Sequence, residues 1–124
     1  MSENQNVCSA NPQLLFPCSG GSDVGALSDL AARQMTRDGT GKMYCLAGIG
    51  GQISGILSTT QSASKILAID GCPMNCAKKI LERAGFSKFK HVCLSDAGFQ
   101  KGASPSTPEN IQKVVQSGAA KLAE

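Results

Sequence analysis

The sequence predicts an α/β fold: a three-layer sandwich around a mostly parallel four-stranded sheet, flavodoxin- or Rossmann-like. Three observations predict it. Short apolar runs of strand character alternate with longer segments of helical periodicity. Three of those runs stop abruptly at turns rich in Gly, Ser or Pro, and a helical pattern follows each. One run, Ile66-Leu67-Ala68-Ile69, is apolar without alternation, as in a parallel strand buried on both faces. Short βα connections imply right-handed winding with helices on both sides of the sheet.

The first strand is expected at Leu14-Leu15-Phe16, ending at Pro17-Cys18-Ser19-Gly20-Gly21. A helix follows from Ser22 to Asp38, with Val24, Leu27, Leu30, Ala31 and Met35 turned inward and Gly39 as its stop. Arg33 and Arg37 lie near its C-terminal end, where the helix dipole favours cations. Lys42–Leu46 reads as the second strand, closed by Ala47-Gly48-Ile49-Gly50-Gly51. A helix over about Gln52–Ser64 then buries Ile53, Ile56, Leu57 and Thr60. The third strand ends at Asp70-Gly71-Cys72-Pro73. Pro73 suits the first turn of the next helix because its missing N–H is not needed there. That helix buries Ala77, Ile80, Leu81 and Ala84 and ends at Gly85. His91–Leu94 is the fourth strand and Gly98–Pro105 a loop. Ser106-Thr107-Pro108-Glu109 is a capping-box signature for a last helix carrying Ile111, Val114, Val115 and Leu122.

At 124 residues the chain suits one domain, taken as 13–124, behind a flexible N-terminal tail over 1–12. With 41% hydrophobic residues it can pack a core, but no Trp and one Tyr leave that core to aliphatic residues and four Phe. The net charge of +3 is carried by dispersed residues, without the basic stripe or reading motif of a nucleic-acid binder. No apolar stretch approaches the roughly 20 residues that cross a bilayer, and the first residues do not read as a signal peptide. The sequence alone therefore points to a cytoplasmic protein. Six cysteines in that compartment suggest metal ligation or redox chemistry rather than disulfides.

Four of them are placed to meet. Cys18 follows the first strand, Cys45 lies near the end of the second, Cys72 follows the third, and Cys76 falls in the first turn of the next helix. Sites in open parallel sheets lie at the carboxyl ends of strands, where the strand order switches. Four thiolates complete a tetrahedral zinc shell. Cys18, Cys72 and Cys76 flank helix starts, whose free amides favour a thiolate. Asp70 is a carboxylate partner behind the ligands, an extra ligand, or a helix cap. The plain alternative for the set is small, buried, inert thiols.

These residues also carry a resemblance. CSGGSDVG (18–25), CLAGIGG (45–51), IDGCPMNCAKKILERAG (69–85) and HVCLSDAGFQK (91–101) are similar to the DGC family, named for its Asp-Gly-Cys motif, over about residues 14–101. The resemblance implies zinc bound by Cys18, Cys45, Cys72 and Cys76, with Asp70 and Gly71 completing the name motif. It implies no particular reaction. Gly21 stands where several members carry a second cysteine, which weighs against a mechanism needing a vicinal thiol pair there. The final helix from Ser106 lies outside the resemblance.

Two other functions suit the same thiols. One is a thiol redox or sulfur-transfer enzyme using Cys72 and Cys76 with Cys18; the other is an iron–sulfur cluster protein. Whether the chain is an enzyme stays open at this point. His91, the single histidine, is read as hydrogen-bonded or surface-placed rather than as a ligand. Cys93 is expected in the core, and Cys8 is assigned no site.

Overall fold

A computed structural model describes residues 12–124. The expected tail, apart from Pro12, lies outside the described residues, and Cys8 with it. The strands are β1 (Gln13–Pro17), β2 (Lys42–Met43), β3 (Lys65–Asp70) and β4 (Lys90–Cys93). The helices are α1 (Asp23–Arg37), α2 (Leu46–Gly50), α3 (Ser54–Gln61), α4 (Cys76–Arg83) and α5 (Pro108–Leu122). All four strands are parallel, in the order β2-β1-β3-β4. This is the flavodoxin-like run 2-1-3-4 and not the 3-2-1-4 run of a dinucleotide fold. The Rossmann half of the expectation is therefore dropped.

The apolar runs explain the layers. β1 pairs with β3 along its whole length, from Gln13↔Lys65 to Pro17↔Ile69. Side chains alternate across a strand, so both strands send apolar residues to both faces. Leu15, Leu67 and Ile69 meet Val24, Leu27, Ala31 and Met35 of α1 and Val114, Val115 and Leu122 of α5. Leu14, Phe16, Ile66 and Ala68 meet Ile49 of α2 and Ala77 and Leu81 of α4 on the other face. Tyr44 closes that second core edge-on against Phe16, with ring centroids 6.1 Å apart.

Several expected boundaries move, each for a local reason. β2 stops at Met43: Tyr44 N–H still donates to Leu15 C=O at 2.9 Å, but Leu46 already opens α2. Cys45 thus lies past the strand, at the N-cap of α2. The helix expected over 52–64 is two helices, because Gln52 at φ +57° turns the chain between α2 and α3. Ile53 consequently faces solvent at 53% exposure, and Leu30 of α1 is 37% exposed rather than inward. Pro73 is not in helix α4. Asn75 N–H donates to Cys72 C=O at 3.1 Å, so Cys72–Asn75 forms a turn with Pro73 at its second position, which suits its fixed φ. α4 begins only at Cys76. Leu94 leaves the fourth strand to open a 3₁₀ turn, Leu94–Ala97. In α5 the cap is Thr107 rather than Ser106; its Oγ1 accepts from Asn110 N–H at 3.2 Å, and Pro108 takes the first helical position.

One carboxylate fastens the loop between the 3₁₀ turn and α5. Asp23, in the first turn of α1, accepts from Gly102 N–H and Ser104 N–H, both at 2.9 Å, and from Val24 N–H at 2.8 Å. The Gly102 amide chiefly, then that of Ser104, holds this carboxyl below its ordinary value of 3.8. A carboxyl depressed on folding stabilises the native state above its unfolded value, and that stabilisation is lost as pH falls through the lower folded value. The Gly102 and Ser104 amide resonances should therefore titrate together between about pH 5 and pH 2. Their midpoint should lie below 3.8, and Asp23→Asn should abolish the titration. A midpoint at or above 3.8 would contradict this assignment.

Candidate functional site

The carboxyl ends of β1 and β3 lie side by side, and the strand order switches there. Chain order runs from β1 outward to β2 on one side, then back to β3 on the other. Cys18 N–H donates to Ile69 C=O at 2.9 Å and extends the β1–β3 ladder by one residue. Cys18 thereby sits beside the turn that carries Asp70, Gly71 and Cys72. Cys45 follows β2 at the same edge, and Cys76 is the first residue of α4. The topology thus places all four cysteines just past the carboxyl ends of strands.

Two glycines clamp the loops of Cys18 and Cys72 against one helical turn. A β-carbon on Gly25 would lie 2.6 Å from Gly20 O, and one on Gly71 would lie 2.8 Å from the Val24 backbone. Both glycines are needed for close approach: the first loop packs at Gly20 on Gly25, and the third loop packs at Gly71 on Val24, consecutive residues of α1. The middle letter of the Asp-Gly-Cys motif has a steric reason here.

Cys18 is half-buried, with its Sγ 3.3 Å from Ser28 Oγ. Ser28 is fully buried, donates to Gly25 C=O at 2.8 Å and receives Ser19 N–H at 3.4 Å. Ser19 holds a left-handed conformation, φ +53°, and its Oγ donates to Asp29 Oδ2 at 2.8 Å. Cys72 is half-buried against the α1/α5 core, whereas Cys45 and Cys76 are exposed. Cys93 is buried, as expected, with its Sγ 3.4 Å from Ser95 Oγ. All five described cysteines are free thiols.

Asp70 caps α4, one of its three expected roles. Its carboxylate is 1% exposed; Oδ1 accepts from Ala77 N–H at 2.7 Å and Oδ2 from Lys78 N–H at 3.1 Å. These are the second and third amides of α4, which otherwise lack helical partners. The adjacent residue cannot serve: Asn75 has φ +55° and makes no side-chain cap bond. His91 Nε2 lies 2.9 Å from the same Oδ2, so His91 is hydrogen-bonded. Asn75 Oδ1 is the one buried side-chain polar atom without a partner among the described residues.

The sequence pointed to neither the Asp70–His91 pair nor Ser28. The pair depends on the β3–β4 register, which no motif encodes. Ser28 did leave a signal, as a hydroxyl on the apolar stripe that Val24, Leu27, Ala31 and Met35 define.

Soft thiol donors suit a thiolate metal in chemistry. The arrangement is open: among the described residues, no three His, Cys, Asp or Glu side chains are gathered closely enough to hold an ion. Two adjoining hollows of about 330 and 370 Å³ lie at the opposite, amino-terminal edge of β3, lined in part by Lys65, Ser87 and Lys88, and contain no cysteine. No helix of the described residues is long and apolar enough to cross a membrane.

The DGC domain model matches residues 14–117. The match runs past residue 101 into α5, farther than the motifs alone suggested. The chain is also similar to the anaerobic and virulence modulator AnvM of Pseudomonas aeruginosa, with 36% identity over 88 residues, 71% of this chain and 67% of that protein. No solved structure matches the chain.

Replacing Gly71 tests the clamp. Gly71→Ala should lower unfolding stability by about 1–3 kcal/mol in urea titration, the usual cost of overpacking. Because Gly55 has open space around a β-carbon, Gly55→Ala should not destabilise. Equal behaviour of the two variants would refute the packing argument.

Proposed function

We propose that this chain, which belongs to the DGC domain family, is a metal-binding protein whose thiols at Cys18, Cys45, Cys72 and Cys76 take up zinc. One observation carries the reading. Three successive strand-to-helix connections bring four thiols to one edge, and two of those connections are locked onto the same turn of α1. Cys18 and Cys72 supply the fixed half of the site. Cys45 and Cys76, each at a helix start and each exposed, supply the solvent-facing half. Zinc accepts four thiolates without redox change, and with four in place no open position remains for hydrolytic chemistry. Asp70 and Gly71 hold the frame behind the ligands.

A second reading draws on the open arrangement. Four free thiols at one edge, two of them exposed, also suit a thiol redox or sulfur-transfer enzyme working through Cys72 and Cys76 with Cys18. The relative's name speaks of anaerobic modulation, a setting in which reduced thiols persist. An iron–sulfur cluster on the same four residues is the third reading, distinguished by its colour.

Metal analysis by mass spectrometry decides between them, on protein purified without a metal-affinity tag and paired with a thiol count before and after chelation. The zinc reading expects about one zinc per chain, colourless protein, thiols unmasked by chelator, and loss of the metal in Cys72→Ser. No metal, with a Cys72–Cys76 disulfide forming under mild oxidant, would replace it with the redox reading. Visible absorption with bound iron would replace it with the cluster.

A further inference from the structure

His91 reaches the site from β4, an element that carries none of the four proposed ligands. In the β3–β4 register Ala68 faces His91 and Asp70 faces Cys93. His91 and Asp70 are therefore diagonal neighbours on one face of the sheet, the face that α4 covers. A carboxylate has no hydrogen to give when ionised, so the 2.9 Å contact places a hydrogen on Nε2 and makes His91 the donor.

That donor bears on a cysteine. Asp70 Oδ1 is held by Ala77 N–H alone, whereas Oδ2 is shared between Lys78 N–H and His91. The imidazole, 21% exposed, stands at the edge of a carboxylate that is 1% exposed. Without it, Oδ2 is free to turn toward water that enters the gap, and the carboxylate loses one of the three contacts that orient it. Asp70 is the pin of α4, since Asn75 supplies no cap, and Cys76 immediately precedes the pinned residues Ala77 and Lys78. The place of the Cys76 thiol thus follows from the orientation of Asp70.

We infer that His91 is a positioning residue: through Asp70 it fixes the start of α4 and so presents Cys76 for metal capture. The inference rests on the metal-binding reading above for its consequence, though not for its geometry. In this reading His91 acts through Asp70 and not as a ligand.

His91→Ala removes the donor, and His91→Gln keeps one on a side chain of similar reach. His91→Val, a good strand former without a donor, carries the test if alanine does not fold. Zinc affinity is read by competition with a chromophoric chelator. Alkylation of Cys76 relative to Cys18 is read on the metal-free protein by peptide mass spectrometry, with thermal melting alongside. The donor-less variants should bind zinc about 10- to 100-fold more weakly, the usual effect of losing a group behind a ligand. They should also raise Cys76 alkylation while that of Cys18 stays constant, and His91→Gln should restore most of both. Unchanged affinity and an unchanged ratio would overturn the inference. So would a uniform rise at every thiol together with a lowered melting temperature, which marks a general loss of structure. If the wild-type protein binds no zinc, the metal reading fails, and the alkylation ratio alone still decides whether His91 places Cys76.

Discussion

The pairing of β1 with β3 is the constraint from which the rest of the molecule follows. Five residue pairs join the two strands, and nearly all of their side chains are buried. Two adjacent strands buried on both faces require a helical layer on each side, which α1 and α5 provide on one face and α2, α3 and α4 on the other. Parallel pairing also forces each connection to cross the sheet from its carboxyl to its amino edge. Because β2 is added outside β1 and β4 outside β3, the ends of β1 and β3 meet where the strand order switches. Cys18 and Cys72 are the residues that leave those ends, so the site is a consequence of the core.

At that edge the backbone is held in conformations it does not favour. Ser19 and Asn75 are both left-handed, and each is adjacent to a cysteine, Cys18 and Cys76 respectively. Such residues cost about 1–3 kcal/mol and persist where their surroundings over-determine them. The surroundings here are explicit. Ser19 is tied through its amide to Ser28 and through its hydroxyl to Asp29, both on α1. Asn75 is followed by amides that Asp70 holds across the sheet end. The backbone beside Cys18 and beside Cys76 is therefore held in place, and the exposed thiols of Cys45 and Cys76 stand at the rim. A site with two half-buried and two exposed thiols suits capture of an ion from solvent, and it equally leaves thiols within reach of another thiol.

Much of this was legible in the sequence. The unalternating Ile66–Ile69 run marked a strand buried on both faces, and the alternation of short apolar and longer periodic segments marked the parallel sheet. The stripe Val24, Leu27, Ala31, Met35 located α1 to within a residue of each end. The rest was lost where local signals compete with tertiary contacts. Tyr44 and Cys45 have strand propensity, yet Leu46 and Ile49 gain more by turning onto the Phe16 face. Pro73 fits a helix start, but it fits the second position of a turn as well, and the cap needed to start a helix there is not local. Leu30 and Ile53 read as inward because periodicity reports a face and not its coverage.

What the sequence determined by itself was the fold class, the parallel strands and the position of four cysteines past the strand ends. Periodicity, punctuation and the handedness of βα units act locally and need no knowledge of register. What only the tertiary structure decided was how the edge is held together. Asp70 capping a helix seven residues on, His91 reaching Asp70 from a neighbouring strand, and Gly71 resting on the Val24 backbone are contacts between segments. They depend on strand register and on distances below 3 Å, and residue spacing along a chain carries neither.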